Sequence, residues 1–227
     1  MYGETWVFES IVGAIPGVDL DDRTALGVQF ALFQGAAVVL AAAYGLWSAL
    51  PAATAGILVA TVGSALMLSI GRRVRAAPVP RSYRHLLFSS SLEVVLGVVG
   101  YAAVLTVLFV AQPRAGRSFL AAILGPSPPL VPTFFFLLVL WDLCYRIGTG
   151  WWTALLALYR SVALDVEPEA SEAVRAIDGR TAVFGLVQLA LLPFLRPYPL
   201  LLAKLVGHVL AVLVVLGTAR ARRFNSI

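Results

Sequence analysis

Cysteine occurs once in this chain, lysine once, histidine twice and methionine twice, among 227 residues. A single thiol, Cys144, excludes an intramolecular disulfide. One cysteine and two histidines do not make a recognisable metal-ligand set, and HExxH is missing. Gly-x-Ser-x-Gly elbows, glycine-rich phosphate loops and dinucleotide fingerprints are missing too. The residues therefore point to no cofactor and argue against an enzyme. An intramembrane lipid enzyme could use Asp142 and His208 as acid and base, but nothing separates that from a structural pair. Charge is also scarce, at 13 % of residues. No soluble stretch is long enough to build its own core.

What fills the chain is oil: 60 % of it is hydrophobic, in long runs that polar residues separate. Six runs stand out, at residues 26–50, 52–71, 86–110, 130–152, 181–195 and 199–219. A hydrocarbon core of ~30 Å needs ~20 apolar residues of helix, and five of the runs reach or approach that. The run at 181–195 is short, requiring little tilt or a thinned bilayer. Backbone groups inside a bilayer must bond within their own segment, so the runs are helices. The expected fold is all-α: a polytopic integral membrane protein, six transmembrane helices in three hairpins over residues 23–219. Residues 1–22 read as an amphipathic helix on the cytoplasmic surface, and residues 220–227 as a basic cytoplasmic tail. Glu4 and Glu9 stand where a signal peptide would be basic.

Arginines orient the spans. Arg72, Arg73, Arg75, Arg81 and Arg84 crowd the link between spans two and three, and Arg220, Arg222 and Arg223 the tail. The positive-inside rule then puts both termini in the cytoplasm of a plasma membrane and leaves only Arg114, Arg117 and Arg196 outside. Sixteen of the seventeen cations are arginine, and with abundant alanine, valine, leucine and glycine this points to a GC-rich prokaryotic genome. Their grouping at span ends fits lipid headgroups, with no nucleic acid as partner. Leu50-Pro51 and Arg196-Pro-Tyr-Pro199 read as tight outer turns. Residues 165–180 read as a short solvated helix. Apolar character at 130–164 exceeds one crossing; one helix bending near Gly148-Thr149-Gly150 agrees with the arginine distribution better than two spans do.

Function must then rest on charges at membrane depth. Glu93, Asp142, Arg146, Lys204 and His208 fall inside spans, where a charge costs ~2.5–3.5 kcal/mol and tends to be paired. Asp142 and Arg146 share a helix face, as do Lys204 and His208. Similar depth predicts a Glu93–Arg146 pair. Ser89, Glu93, Gly97 and Gly100 align in one small-and-polar stripe, with Gly97 and Gly100 as packing glycines. These residues, with Gln34 and Gln188 contributing, are expected to form one buried polar cluster. The expected function is a transporter or channel passing protons, ions or a small solute through that cluster. The alternative is a non-catalytic scaffold or accessory subunit, in a homo-oligomer or with a membrane partner protein. Geometry discriminates: a transporter needs the cluster on an open cavity, a scaffold needs it sealed.

Overall fold

The computed structural model describes Trp6 and residues 20–163 and 168–224. Helix makes up 88 % of it, and no strand occurs among the described residues. The α-helices are α1 (Asp22–Tyr44), α2 (Leu50–Ala76), α3 (Arg81–Ser89), α4 (Leu92–Thr106) and α5 (Gln112–Arg114). They continue as α6 (Phe119–Leu124), α7 (Leu130–Ala163), α8 (Pro168–Val187), α9 (Leu192–Leu195) and α10 (Pro199–Phe224). Six stretches are long and apolar enough to cross a membrane: Asp22–Tyr44, Trp47–Ala76, Arg81–Arg114, Leu130–Ala163, Ala170–Leu195 and Pro199–Arg222.

Local chemistry explains the ends. Asp21 caps α1, its side chain accepting from the backbone N–H of Arg23 and Thr24. Its other carboxylate oxygen accepts from the Thr24 hydroxyl, and these bonds hold the carboxyl below its usual range. Gly45, at φ +68°, ends α1 in the left-handed region that glycine reaches without strain. The first turn thus falls at Gly45, earlier than Leu50-Pro51, which instead opens α2. The last turn lies where expected, between Leu195 and Pro199.

Helix α7 is the hub. It packs on α2, α4, α8 and α10, whereas α1 packs mainly on α2. It runs unbroken from Leu130 to Ala163, so the apolar stretch is one helix and not two spans. The third stretch is composite: α3 and α4 meet at Ser91, a non-glycine residue at φ 54°. Beyond α4 the chain passes through a π-helical turn, Val107–Ala111, into α5.

Of the segment expected as a separate solvated helix, residues 165–167 lie outside the described residues and residues 168–180 are instead the first part of α8. Ala170, Val174, Ile177, Thr181, Phe184 and Gln188 are all buried, at helical spacing. Of the charged residues that looked like a solvated helix, Glu172 and Arg175 lie between those positions on the exposed face. The fifth apolar stretch therefore begins at Ala170 and, at 26 residues, is longer than the first and the last. Of the amphipathic segment at residues 1–22, residues 1–5 and 7–19 lie outside the described residues. Trp6 packs inside the protein, not on its surface: it donates from Nε1 to the Leu87 carbonyl at 3.0 Å and meets the Phe88 ring edge-on.

The two ends of the bundle differ in filling. The end carrying the Arg72–Arg84 link is solid, packed around Val74, Tyr83, Leu87, Tyr145, Val174 and Ile177. There Arg160, only 1 % exposed, ties three helices together. It donates to the Tyr83 hydroxyl of α3 at 2.8 Å and bidentately to Asp178 of α8 at 2.7 and 2.8 Å. The opposite end is hollow.

Candidate functional site

The expected cluster separates into three places. In the first, Arg146 donates to Asp142 at 2.7 Å, one helical turn away, and its other Nη contacts the Met67 sulfur at 3.3 Å. Arg146 is 0 % exposed. Gly63 of α2 makes its room: a Cβ there would stand 2.9 Å from Arg146 Cδ and 2.7 Å from the Phe184 ring. On the same side Gln29 of α1 donates to Ser64 of α2, a polar contact with no signal beyond two lone polar residues in apolar runs. The void shared by Asp142, Gln29 and Thr61 is about 10 Å³, at the lower limit for one water molecule. This pair is buried.

In the second place, Glu93 is fully buried in the first turn of α4. Its carboxylate oxygens have no hydrogen-bond partner among the described residues. It does not pair with Arg146 as the depth argument expected. The reason is azimuth, not depth. The Glu93 backbone sits over Gly148 on α7, and Gly148 is roughly 160° around that helix from Arg146. The polar stripe also breaks, because Ser91 separates Ser89 on α3 from Glu93 on α4. Gly97 does pack closely: a Cβ there would lie 3.0 Å from the Tyr145 Cα. Gly100 does not, since nothing lies within 4 Å of where its Cβ would be. The missed packing glycine is Gly148, whose Cβ would run into the Gly97 backbone.

The third place holds Lys204 and His208 of α10, and it is open. His208 Nδ1 accepts from Trp151 Nε1 at 2.6 Å. Indole N–H is only a donor, so Nδ1 carries no proton and the neutral ring carries it on Nε2. That Nε2 is buried with no partner among the described residues. Trp151 lies nine residues from Asp142, on roughly the opposite face of α7. Lys204, one turn from His208, is exposed, and none of the described residues pairs with it. Gln34 bonds Thr54 across α1 and α2 at 3.0 Å, and Gln188 is buried in the turn after α8; neither joins the others.

Lys204, His208 and Trp151 border a cavity of about 680 Å³ in the hollow end of the bundle. Its walls come from α1, α2, α4, α6, α7, α9 and α10, and they are apolar almost throughout. Leu108 of the π-helical turn and Leu191 of the 3-10 turn Gln188–Leu191 both reach it. Glu93, Asp142 and Arg146 are not among its lining residues. Among the described residues no cluster of three or more His, Cys, Asp and Glu could hold a metal.

Six helices able to cross a membrane, around the buried Asp142–Arg146 pair and an apolar cavity, are consistent with a multi-pass membrane protein. The chain belongs to a family of unknown function, DUF7530, whose model matches residues 1–219. No curated protein and no solved structure matches it.

Proposed function

We propose that this protein binds an apolar, lipid-phase molecule in the 680 Å³ cavity of a membrane-embedded bundle. The observation that carries this reading is the cavity itself. Its volume falls within the ~300–1,000 Å³ typical of small-molecule sites, and such sites are mainly apolar with a few convergent polar groups. Lys204, His208 and Trp151 are those groups here. A π-turn and a 3-10 turn both meet the cavity, and helix irregularities of this kind frequently accompany functional sites. The buried Asp142–Arg146 pair, apart from the cavity, supports a lock that sets the register of α7 against α2, in place of a solute path.

Photolabelling tests it. A diazirine-bearing alkane is expected to label Leu108, Phe136 and Cys144 of the nanodisc-embedded protein, and to lose those sites in Gly100→Trp. Gly100 lines the cavity with open space beyond it, so the indole has room and the fold should keep its melting temperature. Labelling confined to lipid-facing positions such as Val95, Phe134 and Val214, unchanged in Gly100→Trp, would sink the reading.

The same reading places both termini and the Arg72–Arg84 link in the cytoplasm, on the strength of the arginine distribution. An impermeant maleimide added to intact cells should then label Ala115→Cys and spare Ser82→Cys, both exposed positions. The natural thiol of Cys144 is buried and adds little background. The reverse pattern would invert the topology.

A further inference from the structure

We infer that the seam between α2 and α8, at the arginine-rich end of the bundle, binds an anionic phospholipid whose phosphate is held by Arg180 and Arg73. The seam lies apart from the cavity, which none of its residues line. Arg180 of α8 reaches across to α2, where its Nε donates to the Ser69 hydroxyl at 2.7 Å. One of its Nη atoms donates to the Ala176 carbonyl of its own helix at 2.9 Å. Two neutral acceptors thus fix the guanidinium without compensating its charge. Arg73 follows Ser69 by one turn on the same face of α2, so a second guanidinium stands beside the first. Bringing like charges together from two helices costs energy that an anion between them repays. Guanidinium forks match the oxygens of a phosphate, which has enough of them to serve two arginines. Asp22 of α1, an acid at this end, is engaged by Arg72.

Depth and surroundings agree with the chemistry. Arg180 immediately precedes the apolar run 181–195, and Arg72-Arg73 immediately follow the run 52–71, so both helices mark one edge of the hydrocarbon layer. Lipid phosphates lie at that edge, and basic pockets between spans are where anionic headgroups are recognised. From the two arginines the seam runs into the apolar layer. Leu66 of α2 and Val187 of α8, packed on the core around Phe184, close it, and Leu58, Val62 and Val183 stand exposed beside it. An acyl chain lying along these side chains puts its headgroup at both guanidiniums. A zwitterionic headgroup also carries a cation that the arginines repel, so a net-anionic lipid is the better match. Inorganic phosphate would meet the arginines and leave the apolar seam uncovered.

The test titrates phosphatidylglycerol, phosphatidylcholine of the same chains, and inorganic phosphate into the full-length protein in detergent, with bound molecules counted by native mass spectrometry. One phosphatidylglycerol should be retained about tenfold more tightly than phosphatidylcholine, the scale of one charge-assisted hydrogen bond. Arg73→Gln should shrink that preference, and Arg73→Gln with Arg180→Gln should abolish it. Arg220→Gln, at an exposed position near the same end of the bundle on α10, should leave it intact. Arg73 is exposed, so Arg73→Gln should fold normally, and it decides alone if the double variant melts early. Equal retention of the two lipids, or a preference that Arg220→Gln lowers as far as Arg73→Gln does, reduces the site to diffuse charge and overturns it. Inorganic phosphate that displaces phosphatidylglycerol at equal concentration overturns the lipid assignment in favour of a soluble anion. None of these outcomes touches the photolabelling of the cavity, so the two readings fail separately.

Discussion

Gly148→Ala is expected to destabilise the protein by ~2–3 kcal/mol, while Gly150→Ala, two residues on, leaves stability unchanged or slightly raised. A Cβ at Gly148 would stand 2.6 Å from the Glu93 carbonyl oxygen and 2.8 Å from the Gly97 Cα, with the Gly97 nitrogen nearer still. All three are backbone atoms, so no rotamer change relieves the clash and α4 must retreat from α7. Overpacking of this kind costs ~1–3 kcal/mol, occasionally more, and a backbone obstacle belongs at the upper end. The better helix propensity of alanine returns at most ~1 kcal/mol. At Gly150 the nearest atom is a ring carbon of Phe184 at 3.4 Å, an ordinary contact, so the propensity gain meets little opposition. Melting of the two variants in the same detergent checks the contrast. Equal melting temperatures would show that α4 and α7 do not meet at Gly148.

The contrast also shows what periodicity can and cannot reveal. A Gly-Thr-Gly sequence inside an apolar run reads as a bend or a turn, because glycine weakens helices and the partner helix is invisible. The structure keeps the helix unbroken through it and uses the first glycine for a close crossing. Gly97 and Gly100 looked equivalent on α4 because they lie three residues apart on one side. Only Gly97 faces α7 closely; Gly100 faces the cavity. Asp142 and Arg146 were legible as a pair, since a four-residue spacing fixes their proximity whatever surrounds them. Glu93 was not assignable, because equal depth says nothing of azimuth around α7.

Charge misled in one segment. Between residues 168 and 180 the acids and arginines drew attention away from the buried stripe of Ala170, Val174 and Ile177. Arg160 is buried because Asp178 and Tyr83 come to it from helices far apart in sequence. No local pattern announces such a meeting. The cavity was equally invisible: it exists because seven helices fail to fill the space between Leu50 and Leu201, a property of the packing and of no single run. The number of long apolar helices, by contrast, needed only length and composition, and it agrees with the structure.

Removing Arg146 should be the most damaging single change in charge, and removing its partner as well should largely undo the harm. In Arg146→Met the Asp142 carboxylate keeps its burial and loses the guanidinium 2.7 Å away. Breaking a buried pair from one side costs ~3–5 kcal/mol, because the remaining charge is left uncompensated. Replacing both partners with apolar residues of similar volume is often neutral, or stabilising by ~1–4 kcal/mol. Arg146→Met with Asp142→Leu should therefore melt close to the native protein, far above Arg146→Met alone. The site favours this outcome: Gly63, Phe184 and Met67 surround the Arg146 stem, and methionine adapts to irregular apolar space. The void beside Asp142 is too small to hydrate a lone carboxylate well. A double variant that remains as unstable as the single one would mean that the pair does more than neutralise itself. The same two proteins separate lock from conduit. If the pair only sets helix register, the double variant keeps the photolabelling of Leu108, Phe136 and Cys144 in the cavity, since Asp142 and Trp151 lie on opposite faces of α7. If proteoliposomes carried a pH-dependent flux that vanished in a stable double variant, the pair would belong to a path through the bundle and the lock would be the wrong account.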